Sequence, residues 1–184
     1  NKILDFNPDN AEVYSLIGIE YLFMEDFENA KFNFIKCLNY DDSDYSALYN
    51  IVYCFEILEQ NNKAIEYLNT YLNTNPYCEV AWHQLGKQYL FFKNYAKAIS
   101  AFDFAIISDE YFIGAYIEKG RALEKINKYN EAIENYKLII ALKDESSYPL
   151  LRMGICYNKI SNYKKAIQNL NDCIQVDPQL NKAW

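Results

Sequence analysis

The residue types of this chain return every 34 positions, and that period governs everything else it can fold into. Five units follow one another without insertion or deletion: 11–44, 45–78, 79–112, 113–146 and 147–180. Numbering positions within a unit, position 20 is always alanine: Ala30, Ala64, Ala98, Ala132 and Ala166. Position 8 is Gly18, Val52, Gly86, Gly120 and Gly154, and position 24 is Phe34, Leu68, Phe102, Tyr136 and Leu170. Residues 1–10 read as the end of a preceding unit, closed by Asn7-Pro8-Asp9-Asn10, and 181–184 as the start of another. The whole of 1–184 is thus expected to be a single array cut from a longer protein.

Each unit reads as two helices. Apolar residues at positions 4, 7, 8 and 11 keep helical spacing, as do those at 20, 24 and 27. Short polar breaks such as Lys93-Asn94-Tyr95 and Ser161-Asn162-Tyr163 suit tight turns between antiparallel helices. Strict alternation, the mark of a half-buried strand, is absent. Small residues at positions 8 and 20 are expected to let two helix backbones approach, with large ones at 4, 11 and 24 filling the remaining space. One helix pair cannot bury its own apolar face, so neighbours must stack.

This pattern resembles the tetratricopeptide repeat family over essentially the whole chain. The family's W-x2-L-G-x2-Y motif stands here as Trp82, Leu85, Gly86 and Tyr89. It recurs more loosely as Tyr14, Ile17, Gly18, Tyr21 and as Leu150, Met153, Gly154, Tyr157. Ala98 and Phe102 match the family's second-helix positions. Val52 departs from the small residue at position 8, so the second unit's helices are expected to pack wider, and Lys119 departs from a Leu-like position. The resemblance implies an all-α, right-handed superhelical solenoid of antiparallel helix pairs, whose first helices line a concave groove. It also implies a protein–protein interaction module, a scaffold or adaptor rather than an enzyme.

A helical wheel places positions 2, 5, 9, 12 and 13 opposite the core face of each first helix. Candidate groove residues are therefore Tyr49, Tyr53, His83, Lys87, Arg121, Lys125, Tyr148 and Lys159, with Arg152 on the rim. This face is more apolar than a solvated helix face. In the last three units it carries Lys87, Arg121, Lys125 and Lys159 against Glu124 alone, within a chain of net charge −7. The expected ligand is a protein or peptide with apolar and acidic side chains. Two other accounts stand beside this one: curvature burying Leu22, Phe23 and Phe91 between units, and lysines that are ordinary solvated charge. Lys87 and Arg121 occupy matched positions near Asn50, but the family's carboxylate clamp is not in register, so it is not expected.

Other chemistries find little support. The acidic balance disfavours nonspecific nucleic-acid binding. No apolar run approaches the roughly 18 residues of a membrane helix. Cys37, Cys54, Cys78, Cys156 and Cys173 form no CxxC and the one histidine, His83, has no cysteine near it, so neither metal nor cofactor is expected. An odd count of thiols without a disulfide framework favours a reducing, cytoplasmic setting. Cys78, in a loop, is the thiol expected to be accessible. No Ser, Cys or Asp pairs with His83 by motif, so no catalytic residue is expected. Two further readings remain: a docking arm of a larger enzyme, and end-to-end self-association through apolar ends near Ile3 and Trp184.

Overall fold

In a computed structural model the described residues, 10–142 and 146–178, form ten α-helices and no strand. The expectations placed on 1–9 and on 179–184, including Ile3 and Trp184, lie outside the described residues. The helices fall into two compact units, the first running to Pro76 and the second beginning at Tyr77. The first holds α1 (Ala11–Phe23), α2 (Phe27–Tyr40), α3 (Tyr45–Ile57) and α4 (Asn61–Thr74). The second holds α5 (Glu79–Phe91), α6 (Tyr95–Ser108), α7 (Ile113–Lys125), α8 (Tyr129–Ala141), α9 (Tyr148–Lys159) and α10 (Tyr163–Val176).

Every 34-residue repeat supplies one hairpin of two helices, and its turn is built identically each time. Position 15 is left-handed in all five: Glu25, Glu59, Lys93, Asn127 and Ser161 have φ between 56° and 60°. The next amide then reaches back to the carbonyl at position 11, as in Asp26 N to Tyr21 O (2.9 Å) and Asn94 N to Tyr89 O (2.8 Å). These bonds satisfy carbonyls that a helix end otherwise leaves open. The following helix begins on a side-chain cap at Asp26, Asn94 and Asn162, whose carboxyl or amide oxygen accepts from the third backbone N–H.

The fixed alanines explain themselves: all five are buried. The position-8 glycines act differently from the expected backbone contact. Each faces the side chain at position 24 of its own repeat, Phe34, Phe102, Tyr136 or Leu170, so the missing β-carbon makes room for a ring or branched chain. Where Val52 replaces glycine the partner is the smaller Leu68, and α3 and α4 approach each other less closely than the other hairpin pairs.

Candidate functional site

The first-helix faces differ between the two units. In the first unit Tyr49, Tyr53 and Ile57 lie in a row one helical turn apart on α3 and remain exposed, and Phe23 at the end of α1 is 81% exposed. Tyr53 rests edge-on against Phe27, with ring centres 6.2 Å apart. That contact fixes one ring while leaving its outer face in solvent. Burial by curvature does not account for Phe23 or for Phe91, which is 65% exposed in the second unit.

In the second unit Lys87, Lys125 and Lys159 are exposed on α5, α7 and α9, and none forms an ion pair among the described residues. Arg121, also exposed, sits 2.9 Å from Glu118 one turn earlier on the same helix. Surface pairs of this kind contribute little and exchange readily.

Arg152, expected on the rim, is half-buried and held by an ion pair. Its Nε lies 3.0 Å from Glu124 Oε1 and one terminal nitrogen 2.5 Å from Oε2, a two-pronged bond from α9 to α7. The Tyr136 hydroxyl donates to the same Glu124 Oε1 at 2.7 Å. Burial, followed by the hydrogen bond to Glu124, pushes the Tyr136 phenol up, so it stays a donor. The trio joins α7, α8 and α9, and both Glu124 and Arg152 are thereby occupied within the fold. The sequence signal for it was available, since a glutamate at position 12 and an arginine at position 6 of the next repeat lie on adjacent first helices.

Tyr148 and His83 also turn inward. Tyr148 packs against the core around Ile133 and Ile139 and meets Tyr136 edge-on, ring centres 6.3 Å apart. His83 lies between the rings of Phe102 and Phe112, at 5.8 and 5.1 Å. Both its ring nitrogens are buried with no hydrogen bond among the described residues. Burial, with a smaller contribution from the Lys87 charge, pushes its pKa down to about 4. Val80, placed on the groove by the wheel, is buried as well. The wheel's error is local: positions 2 and 5 are partly core at Val80, His83 and Tyr148, whereas Glu12, Ser46 and Tyr49 at the same positions stay exposed.

Cys78 is buried too, against expectation. Its Sγ caps α5 by accepting from Ala81 N at 3.4 Å. All five thiols are buried and none is in a disulfide. Burial pushes Cys37 and Cys156 up to about 12 and Cys54 to about 11. Such thiols are protonated at neutral pH and make poor nucleophiles. Among the described residues no three His, Cys, Asp or Glu side chains gather as a metal would need, and no helix is long and apolar enough to cross a membrane.

Known proteins place this architecture. The crystal structure of MamA protein superposes with a TM-score of 0.76 at 21% identity, over 94% of each chain. MamA 41-end from Desulfovibrio magneticus RS-1 gives 0.73 at 18% identity, over 92% of this chain and 96% of the other. YrrB, described as a TPR protein with an unusual peptide-binding site, gives 0.71 at 19% identity, over 96% and 91%. At these identities the likeness establishes the fold. In sequence, anaphase-promoting complex subunit 3 of Schizosaccharomyces pombe is 23% identical over 147 residues, 80% of this chain, and the match spans only 22% of that protein. Tetratricopeptide repeat profiles match 11–44, 45–78 and 113–146, and a second profile of the same description matches 150–179. With more than half its length matched in register with the helix pairs, the chain belongs to the tetratricopeptide repeat family.

Proposed function

We propose that this chain is a scaffold or adaptor segment that binds a partner polypeptide on its first-helix faces. Arrays of tetratricopeptide repeats are protein-interaction modules, and the finer assignment rests on one observation. The exposed residues of the first helices are mainly aromatic and aliphatic in one unit, beside the acids Glu12 and Glu20, and mainly lysine and arginine in the other, beside Phe91, inside an acidic chain. Water-facing Phe23, Tyr53 and Ile57 carry apolar area that gains free energy on burial. Lys87, Lys125 and Lys159 attract and orient carboxylates. The matching partner has apolar and acidic side chains. The binding residues are Tyr49, Tyr53, Lys87, Arg121, Lys125 and Lys159; Arg152 and Tyr148 position their neighbours, and His83 is core.

The test is a peptide array of graded acidic and apolar content, probed with the chain and with Lys87→Glu/Lys125→Glu/Lys159→Glu. Retention of acidic-apolar peptides by the chain, lost in the triple variant and in Tyr53→Ser, is the expected result. Equal retention by all three proteins overturns the assignment. The match to about a fifth of a much longer complex subunit supports one further reading, that the array is a docking arm within a larger polypeptide. End-to-end self-association is a separate reading that does not use these faces, and light scattering across concentrations tests it: a constant monomer mass excludes it.

A further inference from the structure

The apolar faces of α1 and α3, in the first unit, are edged by acids and carry no base. On α1, Glu12, Leu16, Ile19, Glu20 and Phe23 fall within about 100° of one face at 100° per residue. On α3, Tyr49, Tyr53, Glu56 and Ile57 share a face in the same way. Neither helix contains a lysine, an arginine or a histidine. The turns that follow them add Glu25 and Glu59, both exposed, beside helix C-termini that carry partial negative charge. Phe27, at the start of α2, brings the two helix ends together: it follows Phe23 across the turn and meets Tyr53 edge-on at 6.2 Å.

The cations of this unit are committed elsewhere. Among the described residues its lysines are Lys31, Lys36 and Lys63, all on α2 or α4. Lys31 Nζ sits 2.7 Å from Glu28 and 4.7 Å from the centre of the Phe55 ring, and Lys36 lies over Tyr14 and Phe32. Lys63 reaches Gln60 at 3.4 Å. No ion pair among the described residues holds Glu12 or Glu20, and both are exposed. The apolar side chains between these acids are exposed too, Leu16 at 55% and Phe23 at 81%. The face therefore offers apolar area and uncompensated negative charge together.

We propose that this face docks an amphipathic helix of a partner protein whose apolar stripe is bordered by lysine or arginine. The inference rests on the reading of the first helices as binding faces and refines it: the acidic part of the partner belongs to the lysines of the second unit, and the part seated on the first unit is apolar and basic. Leu16, Phe23, Tyr53 and Ile57 take the apolar stripe, and Glu12, Glu20 and Glu56 meet its basic borders. An extended segment laid on these rings and aliphatic chains would bury its own N–H and C=O groups unmatched, and ionised carboxylates cannot donate to its carbonyls. A helix satisfies those groups internally. Its side chains recur one turn apart, as Tyr49, Tyr53 and Ile57 do, so the two ridges interdigitate.

The test uses the full chain, isotope-labelled for NMR, titrated with a designed peptide of about 18 residues, long enough to form a helix, with leucine along one face and lysine on both borders. One companion peptide replaces every lysine by glutamate; another breaks the helix with proline. The lysine peptide is expected to shift the backbone amides of α1 and α3 and to gain helicity on binding, and each companion to bind that face about tenfold more weakly or worse. Glu12→Gln/Glu20→Gln is expected to weaken the lysine peptide by about three- to tenfold. Glu131→Gln/Glu134→Gln, removing exposed acids from α8, leaves it unchanged. Equal binding of the proline companion, shifts confined to other helices, or equal weakening by both double variants overturns the proposal. Equal or tighter binding of the glutamate peptide on α1 and α3 also overturns it but keeps the first helices as a binding face, whereas no shift on any first helix with any peptide overturns both readings.

Discussion

Gly86 leaves no room for a β-carbon: an ideal Cβ there falls 2.4 Å from Cε1 of Phe102, whose ring is fully buried. The ring has nowhere to go. Gly86→Ala therefore sets about 1 kcal/mol of improved helix propensity against roughly 1–3 kcal/mol of overpacking, and the packing loss wins. Gly154→Ala meets the half-buried, flexible Leu170 instead, at 2.7 Å, and is expected to be near neutral. Urea denaturation of the two variants checks the contrast. Adding Phe102→Leu to Gly86→Ala should recover part of the loss, because a branched residue at position 8 with leucine at 24 is the combination Val52 and Leu68 already use.

The left-handed turn residues give a gain rather than a loss. A side chain at φ near +57° brings its Cβ against the following carbonyl, at a cost of roughly 1–2 kcal/mol relative to glycine. Glu59 and Lys93 bear that cost at exposed positions with φ of 56°. Glu59→Gly and Lys93→Gly should each raise stability by up to about 1 kcal/mol after the extra chain entropy of glycine is counted. Asn127→Gly should change little, since asparagine tolerates this conformation. Thermal unfolding of the three single variants measures it.

These two cases show where the sequence was legible. The 34-residue period, the buried alanines and the two-helix repeat are properties of side-chain type at fixed spacing, and type is what a sequence records. Val52 even announced the wider second hairpin. The turns were seen only as polar breaks, because no glycine marks the left-handed position; the conformation is imposed by the helix-ending hydrogen bonds. The exposure of the first-helix faces was half read. Lys87, Lys125, Lys159 and Tyr53 emerged where a wheel puts them, but a wheel treats a helix as packed on one side. Here His83 is also enclosed by Phe102 and Phe112, and Tyr148 by Tyr136 of the preceding repeat, and those second contacts draw them inward. The pairing of Arg152 was missed because its partner lies 28 residues away, on another first helix.

The Glu124–Arg152 bond should behave as a joint rather than as a binding element. Glu124 is nearly buried, so Arg152→Met strands a carboxylate and should cost about 2 kcal/mol. Glu124→Gln/Arg152→Met, which removes both charges, should be more stable than Arg152→Met alone. A double-mutant cycle by urea denaturation is expected to show coupling of about 1–3 kcal/mol. Tyr136→Phe removes only one donor from Glu124 and should cost about 1 kcal/mol. Binding of acidic peptides should be unchanged in the more stable double variant, and a loss there would return Arg152 to the binding face.

His83 makes the second unit sensitive to mild acid. Its pKa is held near 4 in the folded chain, against an ordinary value of 6.5, because burial between Phe102 and Phe112 disfavours the imidazolium and Lys87 adds like charge. The unfolded chain therefore takes up a proton that the folded chain refuses, and stability rises with pH wherever the unfolded state binds more protons. The contribution is fully present above about pH 6.5, declines as pH falls through the window down to about 4, and is exhausted below it. The lost stability is of the order of 1–3 kcal/mol. His83→Gln should flatten this part of the stability–pH curve at the expense of some packing, while leaving the carboxylate-driven loss at lower pH in place. NMR titration of the imidazole checks the cause directly. A midpoint near 6.5 would mean that the ring is solvated and that the two aromatic neighbours do not enclose it.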